Sequence, residues 1–471
     1  MTPNTAPVRI GILGAARIAP LALVKPAKDC SDVVVAAVAA RDTERAAAFA
    51  ARHGIGTTYG SYDALIADPE LDAVYIPLPN GLHGKWIRAA LDAGKHVLCE
   101  KPFTANAAEA VDIAQRAATS DRVVMEAFHY RYHPLALRVE EIVASGELGN
   151  LQHVETAMCF PLPKFSDIRY NYALAGGATM DGGCYAIHMA RTFGGGTPEV
   201  VSAQAKLRDG QVDRAMTAEL RYPAGHTGRV RCSMWSTSLL QMSAWVIGER
   251  GELRVLNPVL PQLYHRLTVR TASGKRVERF PRRASYSYQL DAFAGAVLRG
   301  DPVKTAPQDA VENMTVIDAV YRAAAAGAGL TPSGQPASDC LKRRTRRATT
   351  APMARTTTEP TTLTKPLATS NGNVKMMPSR MATCITRPAP TTVLNRMCNA
   401  CSAAVGVCEV AAGMNRAATN RVIGLPIMQL ARNTAAATPP TSVWPASTNR
   451  GSVVTNATAR VRPNINTRYP E

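Results

Sequence analysis

The pattern of residues 8–134, where short apolar runs alternate with amphipathic stretches, constrains this chain most. Runs at Val8–Leu13, Val33–Ala40, Val74–Leu78, His96–Cys99 and Val123–Ala127 each suit one buried strand, and Thr43–Arg52, His83–Ala93 and Ala107–Ala118 between them carry apolar residues at helical spacing. Strands and helices in such alternation bury both sheet faces only as a parallel sheet with crossover helices on either side. Residues 1–134 therefore read as a doubly wound α/β domain built to bind a nucleotide.

Beyond a further helix near Pro134–Ser145 the period changes. Leu151–Phe160, Val200–Leu207, Ala215–Tyr222, Gly228–Trp235 and Leu267–Phe280 read as strands, and in one of them Val230, Cys232 and Met234 alternate with Arg229, Arg231 and Ser233. This predicts a largely antiparallel, open-faced sheet over residues 135–330, closed by helices at Tyr286–Leu298 and Asp309–Ala326. Its second face is either wet or used for association, so a homodimer or homotetramer is expected.

The net charge of +18 points to nucleic acid only if it is spread over the fold. It is not: residues 331–471 hold 18 Lys and Arg against 4 Asp and Glu, and the rest of the chain 36 against 32. That tail is also 23 Thr in 141 residues, with Trp444 and Tyr469 its only aromatics. Without periodic large apolar groups it cannot offset the entropy of ordering, and its composition predicts disorder. Two other readings stay open: a basic arm for nucleic acid, resting on Lys342, Arg343, Arg344, Arg346 and Arg347, and a lost stop or reading frame. Cys30, Cys99, Cys159, Cys184 and Cys232 are scattered through apolar segments, as reduced thiols are. Cys398, Cys401 and Cys408 lack the histidines and second Cys pair of a zinc site, so no metal is expected. With no apolar run of membrane length and no leader pattern, a cytoplasmic protein is expected.

The first strand runs into Gly11-Ile-Leu-Gly14-Ala15-Ala16-Arg17-Ile18-Ala19, a Gly/Ala variant of the dinucleotide fingerprint, with Gly14 at the tight turn and small residues where backbone approaches a pyrophosphate. Ala40, at the end of the second strand, occupies the place of the acidic residue that accepts from the ribose of NAD, and Arg41 beside it suits a 2′-phosphate. NADP is therefore expected over NAD. Asp42 is either a rival ribose acceptor or the cap of the helix that follows.

Further along come Ala93-Gly94-Lys95-His96-Val97 and Glu100-Lys101-Pro102, then Tyr130-Arg131-Tyr132-His133-Pro134 and Asp309-Ala-Val-Glu-Asn313-Met. On these motifs the chain resembles the Gfo/Idh/MocA oxidoreductases, from about Val8 to Leu330. The resemblance implies a Rossmann domain followed by an open-faced sheet, cofactor contacts from Pro79, Asn80, His83, Glu100 and Lys101, and a cis peptide before Pro102. It also draws attention to Met180-Asp181-Gly-Gly-Cys184-Tyr185-Ala-Ile-His188. If Asp181 begins a helix, Tyr185 and His188 share its face at i+4 and i+7; the plain alternative is a packed tyrosine and a satisfied core histidine.

Tyrosine at position 185 resembles the glucose-fructose oxidoreductase, xylose dehydrogenase and dihydrodiol dehydrogenase branch. The implied activity is hydride transfer between NADP and a carbinol or carbonyl of a sugar, polyol or trans-dihydrodiol. Tyr185 is the expected acid-base group, Lys101 the cation that lowers a phenol pKa of roughly 10, and Asp181, His188 and Arg169 the contacts to substrate hydroxyls. Arg169 is equally readable as a surface charge. The competing class is a non-catalytic NADP-sensing regulator of the same fold, which has no chemical need for Lys101 and Tyr185 together. A chain ended at Leu330 is expected to keep the melting temperature and turnover of the full chain, with the tail cut first in limited proteolysis. A large loss of either on truncation would reveal a folded element beyond that point.

Overall fold

The computed structural model describes residues 6–235 and 240–328; the expectation for residues 331–471 lies outside the described residues. Six parallel strands form the first sheet in the order β3-β2-β1-β4-β5-β6: β1 (Val8–Leu13), β2 (Val33–Ala39), β3 (Thr57–Tyr59), β4 (Ala73–Ile76), β5 (His96–Cys99) and β6 (Val124–Glu126). The order reverses beside β1, which opens a crevice at the carboxyl ends of β1 and β4. A π turn at Pro20–Val24 and the short α1 (Lys25–Ala27) follow β1; α2 (Thr43–His53), α3 (Tyr62–Ile66), α4 (His83–Asp92) and α5 (Ala107–Ala118) make the other crossovers. Asp42 caps α2, its carboxylate accepting from Arg45 N at 3.1 Å.

After α6 (Pro134–Ala144), eight strands form the second sheet in the order β14-β13-β12-β11-β7-β10-β9-β8. They are β7 (Leu151–Cys159), β8 (Glu199–Arg208), β9 (Val212–Arg221), β10 (Thr227–Ser233), β11 (Gln241–Gly248), β12 (Gly251–Leu256), β13 (Arg266–Thr271) and β14 (Gly274–Glu278). Only the β7–β10 pair is parallel. Leu267–Phe280, one run in the sequence pattern, folds back on itself at Gly274 into the β13–β14 hairpin. One face buries Val154, Met158, Val230, Cys232, Val246 and Leu253 beneath α7 (Cys184–Phe193) and α9 (Pro307–Ala328). The other carries ion pairs such as Arg229–Glu219 and Arg231–Glu155, each at 2.7 Å.

α8 (Ser285–Arg299) comes after the second sheet in sequence but packs on the first: Tyr286, Leu290 and Phe293 share a core with Val8, Ile10, Ile12 and Leu98. Among the described residues no helix is long and apolar enough to cross a membrane.

A second π turn, Thr179–Gly183, leads into α7 and lies so close to the sheet that a Cβ on Gly183 would stand 2.9 Å from Cys232 Sγ. Its start is tied down by the buried carboxylate of Asp213 on β9, which accepts from Thr179 N at 2.8 Å, Thr179 Oγ1 at 2.7 Å and Tyr321 Oη of α9 at 2.9 Å. Asp213→Ala orphans three buried donors and is expected to cost about 2–4 kcal/mol, seen as a lower urea midpoint; an unchanged midpoint would show that this carboxylate is not the anchor.

Candidate functional site

The carboxyl ends of β1, β4 and β5 and the start of α7 enclose a cleft of about 870 Å³, counting its open mouth. At one end is the turn after β1. Gly14 has φ +107°, and a Cβ there would also meet Leu78 Cδ2 at 3.1 Å. Its N–H donates to Ala39 O at 2.8 Å, which fixes the turn against β2, and its carbonyl accepts from Ala16 N at 2.7 Å. Ala16, Arg17 and Ile18 then line the cleft; the backbone N–H groups of Arg17 and Ile18 have no acceptor among the described residues. Free N–H groups on a glycine turn at a switch point suit a dinucleotide pyrophosphate, so these residues fit the cofactor that the fold implies.

Of the residues expected to hold a cofactor, Pro79, Asn80, Glu100 and Lys101 also line the cleft, and Ala15 lies buried within the turn. His83 does not reach it. Its ring is buried between Leu78 O and Pro102 O, each at 2.8 Å, where it ties together the loops after β4 and β5. Burial lowers its pKa against the pull of the two carbonyls, and in the neutral form its single N–H donates to one of them at a time. Arg41 is exposed at the end of β2, outside the cleft. Arg45 on α2, which the sequence pattern does not single out, donates to Ala15 O at 2.7 Å and so brings a second cation to the turn.

At the other end of the cleft the Lys101–Pro102 peptide is cis. Lys101 Nζ donates to Asp181 O at 3.0 Å and stands 5.1 Å from the centroid of the Tyr185 ring. Glu100 accepts from Tyr75 Oη at 2.7 Å; burial pushes its carboxyl up, opposed by Lys101 and by that hydrogen bond. Asp181 is 3.5 Å from Arg169 Nε through Oδ1, while its buried Oδ2 has no partner. Burial raises its pKa against the pull of Arg169 and Lys101. Asp167 connects the two ends of the cleft, 3.1 Å from Arg169 and 3.3 Å from Arg17.

The structure brings Lys101, Asp181, Arg169 and Tyr185 together and leaves His188 out. The wide turn at Thr179–Gly183 advances the chain by less rotation per residue than an α-helix, so the column expected from Asp181 does not extend to His188. His188 is fully buried, stacked on Phe128 with ring centroids 4.1 Å apart; Nδ1 lies 2.6 Å from Tyr130 Oη and Nε2 lies 2.8 Å from Asp309 Oδ2. Burial lowers its pKa, so the neutral ring donates to Asp309 and accepts from Tyr130.

Tyr185 lines the cleft, and its hydroxyl lies 3.0 Å from His129 Nε2. Burial pushes the phenol well above its ordinary pKa, with Tyr286 and Glu100 adding to the rise. The expectation that Lys101 lowers this pKa is not met in the structure, because the ammonium is turned to the Asp181 carbonyl and the ring face. Sequence reasoning also misses His129: it lies just before the Tyr130–Pro134 motif, and only tertiary packing brings it to Tyr185.

Residues 8–128 match the family described as "Oxidoreductase family, NAD-binding Rossmann fold", and residues 136–254 match the "GFO/IDH/MocA C-terminal domain". A D-xylose 1-dehydrogenase (NADP(+)) of Haloferax volcanii is 42% identical over 321 residues, which cover 68% of this chain and 98% of the relative. The human trans-1,2-dihydrobenzene-1,2-diol dehydrogenase is 36% identical over 232 residues, covering 48% of this chain and 68% of the relative. The crystal structure of a 3-ketoreductase from Actinomadura kijaniata, in complex with NADP and TDP-benzene, superposes with a TM-score of 0.63 at 30% identity, over 67% of this chain and 98% of that one. The chain belongs to the Gfo/Idh/MocA oxidoreductase family.

The Asp309 carboxylate behind the site sets an acid limit. Burial alone would raise its pKa, but the electrostatic pull and hydrogen bond of His188, followed by those of the Arg191 guanidinium, outweigh burial and hold it at about 2. A pKa below that of the unfolded chain stabilises the fold above the unfolded value, near 4, and that stability is lost as pH falls from there to about 2. Asp309→Asn is expected to remove roughly 2 kcal/mol of that acid dependence, measured as the melting temperature between pH 5 and 2. The same acid slope in the variant would place the sensitivity elsewhere.

Proposed function

We propose that this protein is an NADP-dependent dehydrogenase that oxidises a carbinol of a neutral, hydroxyl-rich small molecule, an aldose or a related polyol or diol, with Tyr185 as the group that exchanges the substrate proton. The observation that carries this reading is that Tyr185, Lys101 and Asp181, whose Oδ2 is unpaired, line one cleft together with the turn that follows Gly14. The substrate end sets Lys101 and Arg169 against Glu100 and Asp181. This balance of charge suits a neutral ligand, and an unsatisfied buried carboxylate oxygen suits a hydroxyl donor. The named activities of the D-xylose dehydrogenase and the dihydrodiol dehydrogenase agree with such a substrate.

Residues 1–134 hold the cofactor in this reading, with the N–H groups of Arg17 and Ile18 at the pyrophosphate and Arg41 and Arg45 toward a 2′-phosphate that Ala40 does not oppose. When bound, NADP supplies the acceptor for the hydride. Lys101 and Asp181 orient the carbinol and its neighbouring hydroxyls, and Arg169 holds Asp181 in place. Tyr185 takes the hydroxyl proton as the C–H bond breaks, and returns it when a carbonyl is reduced. The open sheet face is the surface assigned to self-association.

The test is an assay of the purified chain with NADP and NAD against a panel of aldoses, polyols and trans-dihydrodiols, followed by reduced-nicotinamide absorbance. NADP is expected to be preferred. Tyr185→Phe should bind NADP as the parent does yet turn over roughly 10²- to 10⁴-fold more slowly. Lys101→Met is expected to lose a similar factor, and the double variant little more. NADP binding without turnover on any member of the panel would favour the sensing regulator. Near-normal turnover by Tyr185→Phe, with hydride transfer rate-limiting, would take the acid-base role from this residue.

A further inference from the structure

The resting site leaves a chemical problem unsolved. Tyr185 keeps its proton firmly, and Lys101 does not touch the phenol oxygen. A phenol that accepts a substrate proton must pass its own to another group, and the structure supplies one.

Three hydrogen bonds, the first two buried, lead from Tyr185 through residues that do not line the cleft. Its Oη lies 3.0 Å from His129 Nε2, His129 Nδ1 lies 2.8 Å from Ser285 Oγ, and Ser285 Oγ donates to Gln262 Oε1 at 3.1 Å. An amide oxygen only accepts, so the serine proton is committed to Gln262 and its lone pair faces the ring. His129 Nδ1 therefore carries the N–H. Burial, with Lys101 and His133 adding to it, holds the imidazole pKa down to about 3. The ring is neutral, Nε2 is bare, and the only hydrogen available to the 3.0 Å contact is the tyrosine's. The phenol proton is therefore engaged with His129, and the lone pairs of Oη are left to accept another.

We propose that His129 is the positioning residue that receives the Tyr185 proton: as Tyr185 Oη takes the hydroxyl proton of the substrate, the phenol's own proton passes to His129 Nε2. This rests on the acid-base reading of Tyr185 given above. In the oxidation direction the substrate O–H bond breaks and a bond to Oη forms, while the phenol O–H bond breaks and the Nε2–H bond forms. The hydride leaves with both electrons of the C–H bond for an oxidised nicotinamide dinucleotide, and the carbon becomes a carbonyl. One positive charge appears on His129 as one is lost from the nicotinamide, so the buried site keeps its total charge, which removes the main penalty for charging an enclosed imidazole. Facing the pair are Lys101 and Glu100 from the end of β5, Asp181 and Cys184 at the start of α7, Tyr130 and His133 from the segment of His129 itself, and Tyr286 of α8, whose ring is 3.9 Å from the imidazole centroid.

His129→Gln retains an acceptor for the phenol but cannot take a proton. In single-turnover oxidation of D-xylose with NADP, it is expected to slow hydride transfer by roughly 10²-fold, the lower end of what a positioned proton carrier contributes. KM should change little, and the rate should climb with pH where the parent is flat. In mixtures of light and heavy water the parent should give a curved proton inventory, for two protons in motion, and His129→Gln a straight one. Independently of activity, long-range proton–nitrogen NMR of the cofactor-free chain should find His129 with Nδ1 protonated, its Nε2 resonance moving in Tyr185→Phe. Ser285→Ala, a smaller change than His129→Gln, should shift the pH profile in the same direction, and it decides the matter with the NMR if His129→Gln does not fold. Parent-like rate, pH profile and inventory in the folded His129 or Ser285 variant, with Tyr185→Phe inactive, overturn the relay and leave the enzyme reading intact. An Nε2-protonated His129 overturns it too. Full activity in Tyr185→Phe sinks the underlying assignment instead.

Discussion

The arrangement of this protein depends on α7, a helix buried on every side that nevertheless carries Tyr185, His188 and Arg191. A buried polar group without a partner costs kilocalories, so each of these side chains dictates what must stand opposite it. Tyr185 requires His129; His188 takes Tyr130 and Asp309; Arg191 takes Asp309, Glu312 and Thr197. Apart from Thr197, in the loop after α7, those partners come from the segment that leaves β6 of the first sheet and from α9 over the second. By satisfying one helix, the chain fixes how its two sheets meet, and the cleft is the space left where they do.

Two carboxylates, Asp213 on β9 and Asp181 in the turn before α7, show how the same chemistry serves opposite ends. Asp213 and Asp181 are both buried and both pushed up in pKa by that burial. Asp213 answers three donors and belongs to the scaffold. Asp181 is left with one oxygen unanswered at the wall of the cleft. The satisfied group holds the turn on which the unsatisfied one is mounted, the usual relation between a site and the structure that supports it.

The features that local periodicity determines were legible in the sequence: the parallel sheet from its evenly spaced apolar runs, the alternation along β10, the Gly14 turn, and Asp42 as a cap. Lys101, Asp181, Arg169 and Tyr185 were legible through the family resemblance. What escaped depends on departures from regular geometry or on distant packing. A count of 3.6 residues per turn puts His188 in the column with Asp181 and Tyr185, and the π turn at Thr179–Gly183 breaks that count. Nothing local in Tyr286, Leu290 and Phe293 says that α8 returns to the first sheet, or that Ser285 at its start will meet His129 from 156 residues earlier. β3 is three residues at a sheet edge, too short for alternation to register.

Across the mouth of the cleft the order Arg17, Asp167, Arg169, Asp181 alternates in sign, and its links differ in strength. Asp167 and Asp181 are almost enclosed, and Arg169 is largely covered, with 23% of its side chain exposed; Arg17 is 67% exposed. A pair with one partner in solvent contributes about 0–1 kcal/mol, whereas breaking an enclosed one leaves a desolvated charge and costs several times that. The outer link therefore yields easily to a stronger anion at the Gly14 turn, while the inner links hold.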